Sequence, residues 1–115
     1  MKNDMNIINY GDKEYKLVFN LNVMEQIQEE YGTLDRWGDL TDGKDGEVNV
    51  KALKFGIMCM INEGIEIQND EEGTNLSLLN EKQVGRLLTE LGLKEMTEKV
   101  NDTVIESTKS DEKNV

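Results

Sequence analysis

The chain has 115 residues, enough for one modest domain and too few for two substrate lobes. Its 24 Asp and Glu against 13 Lys and Arg leave a net charge of −11, a field that repels nucleic-acid phosphates and anionic lipid headgroups. With no His, the usual general base, the imidazole of hydrolytic triads and the commonest metal ligand are all missing, which disfavours most hydrolase and zinc chemistries.

Hydrophobic residues make up 37% of the chain and charged ones 32%, a balance that supports a small core. No stretch approaches the ~20 apolar residues of a membrane span, and Met1-Lys2-Asn3-Asp4 leads into no signal-peptide apolar region. The single cysteine, Cys59, excludes an internal disulfide, so the expected compartment is a reducing cytoplasm. Pro is absent, leaving Gly, Asn and Asp to punctuate the chain.

Residues 6–19 contain two β-rich runs separated by Gly11-Asp12-Lys13-Glu14, a hairpin signal. Tyr15, Leu17 and Phe19 alternate with Lys16 and Val18, as on a sheet with one covered face. An isolated hairpin is marginal in water, so helices should lie across it. Asn20 and Asn22 are both N-cap candidates for a helix near 22–31, and Asn22 with Glu25 has capping-box spacing. Val23, Met24, Ile27 and Tyr31 recur at helical intervals before Gly32. Thr33 to Trp37 adds a turn of helix before the loop Thr41-Asp42-Gly43-Lys44-Asp45-Gly46.

Asn49 caps a second helix over 50–63, with Val50, Leu53, Ile57, Met60 and Ile61 in register and Gly64 as its expected stop. Its middle is apolar on every side, the mark of a central helix touched by several neighbours. Ile65-Glu66-Ile67 reads as a short strand or extended exit, and 68–75 as an exposed acidic loop. Asn80, with Gln83 at the capping-box position, opens a helix over 81–91 on Val84, Leu87, Leu88 and Leu91. A last helix over 94–106 carries Met96, Val100 and Val104 on one stripe, with Glu95 spaced to pair with Lys99. Residues 107–115 lack apolar periodicity and are expected to form a disordered tail. The expected fold is mainly α in an α+β arrangement: one domain over 1–106, an N-terminal β-hairpin followed by about four helices.

Few residues point to chemistry. Calcium-loop spacing fails in every register: with Gly46, Gly43 or Gly73 at the sixth position, the twelfth is Ala52, Asn49 or Leu79, never the Glu that the ion needs. No phosphate-cradling glycine motif occurs. Glu29-Glu30 and Glu71-Glu72 are adjacent on helix or loop and do not face one another, so they read as solvated charge. Cys59, between Met58 and Met60, reads as a buried structural thiol. No enzyme activity, cofactor or metal is expected. Met24, Met58, Met60 and Met96 serve either as core filling or as surfaces that repack against a partner, and Trp37 either caps the core or anchors a partner.

The run Tyr15-Lys16-Leu17-Val18-Phe19-Asn20-Leu21-Asn22-Val23-Met24-Glu25-Gln26-Ile27-Gln28-Glu29-Glu30-Tyr31-Gly32 resembles the opening of small tail assembly chaperones of long-tailed bacteriophages, prophages and gene-transfer elements: a strand running into a Glu-rich helix that ends at an aromatic-Gly step. The central apolar helix ending in Asn62-Glu63-Gly64, an acidic loop and the start Asn80-Glu81-Lys82-Gln83-Val84 are similar in layout over 6–106. The resemblance implies a non-enzymatic protein of the bacterial host cytoplasm that coats the helical tape-measure protein, keeps it soluble, helps recruit tail-tube protein and leaves the mature virion. The loops at 41–48 and 68–75 match no motif of the family. On this reading Met24, Ile27, Tyr31, Trp37, Met58 and Leu91 line a groove for an amphipathic helix. An exposed hairpin edge and spare apolar helix faces also favour a homo-oligomer, while nucleic acid and membrane are not expected partners. Two rival readings are a structural tail or connector component and an acidic DNA mimic. The mimic is disfavoured because Lys51, Lys54, Lys82, Arg86, Lys94 and Lys99 interleave with the acids.

Overall fold

The computed structural model describes residues 6–44 and 46–113. Strands β1 (Ile7–Tyr10) and β2 (Lys13–Lys16) pair antiparallel, with Ile7 opposite Lys16 and Tyr10 opposite Lys13. That register leaves only Gly11-Asp12 in the turn, so Lys13 and Glu14 belong to β2 and not to the connection. Gly11 makes the tight turn accessible by adopting φ 64°, in the left-handed region. Past β2 the chain stays extended with the expected alternation: Leu17 and Phe19 are buried, Lys16 exposed. The Leu17 N–H donates to the Asn6 carbonyl at 2.7 Å and the Val18 N–H to the Met60 carbonyl at 3.2 Å, which ties this strand end to the central helix.

Helix α1 (Leu21–Tyr31) is capped by Asn20, whose side chain accepts from the Val23 N–H at 3.2 Å. The alternative cap, Asn22 with Glu25, is not used. Asn22 lies inside the helix, where its amide and that of Asn20 both donate to the Glu63 carboxylate, at 3.1 and 2.8 Å. The turn expected after Gly32 is a full helix, α2 (Leu34–Thr41), capped by Thr33 accepting from the Arg36 N–H. Asp45, in the loop that follows, lies outside the described residues.

The largest departure is α3 (Val50–Glu72), capped by Asn49 as expected but running well past Gly64. Residues 65–67 are helical, not strand, and the acidic stretch is helical through Glu72. Gly73, at φ 72° and ψ 19°, makes the stop, its N–H donating to the Asn69 carbonyl. Gly64 serves close approach instead: a Cβ there would stand 2.6 Å from the Lys16 carbonyl oxygen. The chain then returns along α3 in extended form, held by two asparagines. Asn69 accepts from the Leu76 N–H at 3.0 Å and donates to its carbonyl at 3.1 Å; Asn62 does the same for Leu79, at 2.9 and 3.0 Å.

Helix α4 (Glu81–Leu91) opens with both halves of the capping box: the Gln83 N–H donates to Asn80 Oδ1 at 2.9 Å, and the Asn80 N–H to Gln83 Oε1 at 2.8 Å. After Gly92 comes α5 (Leu93–Lys113), burying Met96, Val100 and Thr103. Its backbone stays helical through Lys113, past the tail boundary read at residue 107, because an established helix gains one hydrogen bond for each residue added. The Ser107 hydroxyl also donates to the Phe19 carbonyl at 2.8 Å. The rest of the expected tail, residues 114–115, lies outside the described residues. Among the described residues the fold is therefore a two-stranded hairpin and five helices, an α+β arrangement. Helix α3 sits at its centre, packed against α1, α2, α4 and β2. Ile57, Met60 and Ile61 of α3, Ile8 and Leu17 of the hairpin segment, Val23 and Ile27 of α1, Leu87 of α4 and Met96 of α5 form one closed core.

Candidate partner-binding surface

The six residues expected to line a groove do not share one exposed surface. Ile27 is fully buried and Trp37 only 3% exposed. The Trp37 indole N–H donates to the Ala52 carbonyl at 2.9 Å, and its ring rests on Gly56, where a Cβ would come within 2.3 Å of Cζ2. Both residues are core in this state, and of the two readings of Trp37 the burial favours the core cap. Met24, Tyr31, Met58 and Leu91 are half-buried against the core. Tyr31 meets Phe55 edge-on, with ring centroids 5.8 Å apart at 67°. Desolvation, and then the neighbouring Glu30, Glu81 and Cys59, raise its phenol pKa above 10.0. Met58 opens onto a groove shared with Glu25, Glu63, Glu66 and Leu78, an acidic setting for an apolar contact.

The apolar side chains that do face solvent lie elsewhere. Leu21 is 77% exposed, Ile105 53%, Leu76 48%, Val50 47%, Leu78 46% and Leu93 44%. Leu21, Val50 and Leu93 each occupy the first position of a helix, and Leu76 and Leu78 lie in the extended return after α3. Val50 is in register with the α3 stripe but sits at its exposed first position; the other five fall on no stripe read from helical spacing. The available signal was a large apolar residue immediately after an N-cap or inside a loop.

Two grooves border these residues. One, of about 880 Å³, lies between the hairpin and the return segment and includes Tyr10, Tyr15, Leu76 and Leu79. The other, of about 680 Å³, lies between the first turn of α3 and the outer face of α4 and includes Val50, Leu88 and Leu93 with Lys54, Lys82 and Arg86.

Cys59 is buried in the core, as its setting between Met58 and Met60 predicts. Burial in the core, and secondarily Glu30, push its thiol up from 9.0 to about 11, so it is protonated at neutral pH. Among the described residues no cluster of three or more Asp, Glu or Cys could hold a metal ion, and no helix is long and apolar enough to cross a membrane. No family model, curated protein or solved structure matches this sequence.

Proposed function

We propose that this protein is a tail assembly chaperone of a long-tailed phage or a related element, acting in the bacterial host cytoplasm. It binds the tape-measure protein, keeps it soluble and helps recruit tail-tube subunits, and it is absent from the finished particle. The observation that carries this reading is the residue pattern over 15–32, a strand running into a Glu-rich helix that ends at Tyr31-Gly32. A net charge of −11 favours solubility of a complex formed through apolar faces. Holding a partner demands no general base and no reactive thiol, which suits a histidine-free chain whose one cysteine is buried and protonated.

Co-expression with the tape-measure protein of the same genome tests the reading. The expected result is that soluble tape measure rises and the two proteins co-elute. A tape measure equally soluble without this chain overturns it, and recovery of the chain from purified particles points instead to a structural tail component.

A further inference from the structure

On a chain of net charge −11, the groove between α3 and α4 has the opposite sign: Lys54, Lys82 and Arg86 line it and no carboxylate does. Gly85 brings the cations together. A Cβ on that glycine would lie 3.5 Å from Lys54 Cδ and 3.8 Å from its Nζ, so the α3 lysine lies across α4 at Gly85, between Lys82 and Arg86. Lys54 is half-buried, yet among the described residues none of the three cations pairs with a carboxylate; the ion pair found there is Lys44 with Asp42. Lys82, Gly85, Arg86 and Thr89 follow helical spacing on α4, a stripe rising about 10 Å, or two turns. Val50 and Leu93 stand exposed beside it over a Leu88 floor.

We infer that this groove docks an acidic amphipathic helical segment of a partner, its apolar ridge on Val50, Leu88 and Leu93 and its flanking Asp or Glu against Lys54, Lys82 and Arg86. Charge complementarity selects that occupant. A basic segment would find only cations here. Paired charges at the groove rim set partner choice, and the apolar strip supplies the contact area. The inference deepens the chaperone reading and rests on it for the partner being helical; the peptide measurement below stands without it.

Two synthetic peptides of about 20 residues, long enough to hold a helix, carry the same leucine ridge flanked by Glu in one and by Lys in the other. Fluorescence anisotropy with the full chain should give an affinity about 10-fold higher for the Glu peptide at ~0.15 M salt, where charges beyond about 8 Å are screened and the groove cations dominate, narrowing as salt is raised further. In amide NMR spectra the shifts should centre on Gly85 and Gly92. The Lys54→Glu/Lys82→Glu/Arg86→Glu variant should reverse the preference, and Lys13→Glu, on the hairpin, should leave it intact. If the triple charge reversal unfolds the chain, the corresponding Gln triple should abolish the preference. Equal affinity for both peptides, a preference that survives the triple substitution, or a peptide-free dimer that the triple substitution dissociates would each overturn the inference. If wild type and the triple variant hold the tape measure equally soluble and the peptides show no preference, the groove assignment fails and the chaperone reading stands. If the Glu peptide is preferred but the tape measure is soluble without this chain, the chaperone reading fails alone.

Discussion

Cys59 and Tyr31 are packed near one another against the α1–α3 contact, and both are easier to keep protonated in the fold than in the unfolded chain. For Cys59 the cause is first desolvation and then Glu30, moving the thiol from 9.0 to about 11. Both groups bind protons more tightly when folded, so their contribution is fully present below the unfolded pKa and is lost as pH rises through the folded one. Between pH 7.5 and 10.5 the Cys59 contribution should fall by about 2 kcal/mol. Urea unfolding under reducing conditions at the two pH values should show that loss in the wild type. The Cys59→Ala variant should lose correspondingly less over the same interval and retain the Tyr31 share. Equal pH dependence in the two proteins would mean that Cys59 is not held neutral by the core.

Glycine marks three places where helices meet other parts of the chain, and the local geometry assigns each substitution a sign. In an open helix interior Gly→Ala is stabilising by roughly 0.5–1 kcal/mol. Gly85→Ala should approach that gain, because its Cβ would meet only the flexible Lys54 stem at 3.5 Å. Gly56→Ala would drive into Trp37 at 2.3 Å and strain the indole hydrogen bond to Ala52, and Gly64→Ala into the Lys16 backbone at 2.6 Å. Each should cost about 1–3 kcal/mol, read from thermal unfolding. A neutral Gly64→Ala would show that α3 and β2 do not approach as closely as described. These glycines also show which parts of the fold were legible. The Asn49 cap, the Asn80–Gln83 box, the Gly92 stop and the alternation over 15–19 were readable because each is decided within a few residues. Gly64 has the local appearance of a helix stop, and only the arrival of Lys16 from a distant part of the chain makes it a packing position. Trp37 is ambiguous for the same reason, since its pocket is made by Ala52 and Gly56 of another helix. The basic groove was scattered in the sequence as Lys54, Lys82 and Arg86, and the packing of α3 on α4 brings those residues together.

At the scale of the whole molecule, charge acts against the fold more than for it. The net charge is −11, and the ion pair among the described residues, Lys44 with Asp42 at 3.9 Å, has its lysine 83% exposed and stabilises little. With so little attraction to screen, added salt mainly weakens self-repulsion. The Debye length falls from ~30 Å at 0.01 M to well under 10 Å at 0.5 M. The radius of gyration is 13.8 Å, so low salt lets carboxylates repel across the entire domain and high salt confines the effect to near neighbours. At pH 7, raising NaCl from ~0.01 to ~0.5 M should therefore raise the unfolding temperature, on the order of 5 °C for about 1 kcal/mol of relieved repulsion. Near the isoelectric point of about 4.4 the same salt step should have almost no effect, which separates screening from any general effect of salt on apolar burial. An unfolding temperature that falls with salt at pH 7 would reveal attractive charge networks stronger than the single exposed pair. The same balance bears on the groove at Lys54, Lys82 and Arg86. Those cations lower the repulsion that an acidic segment meets on approaching this surface.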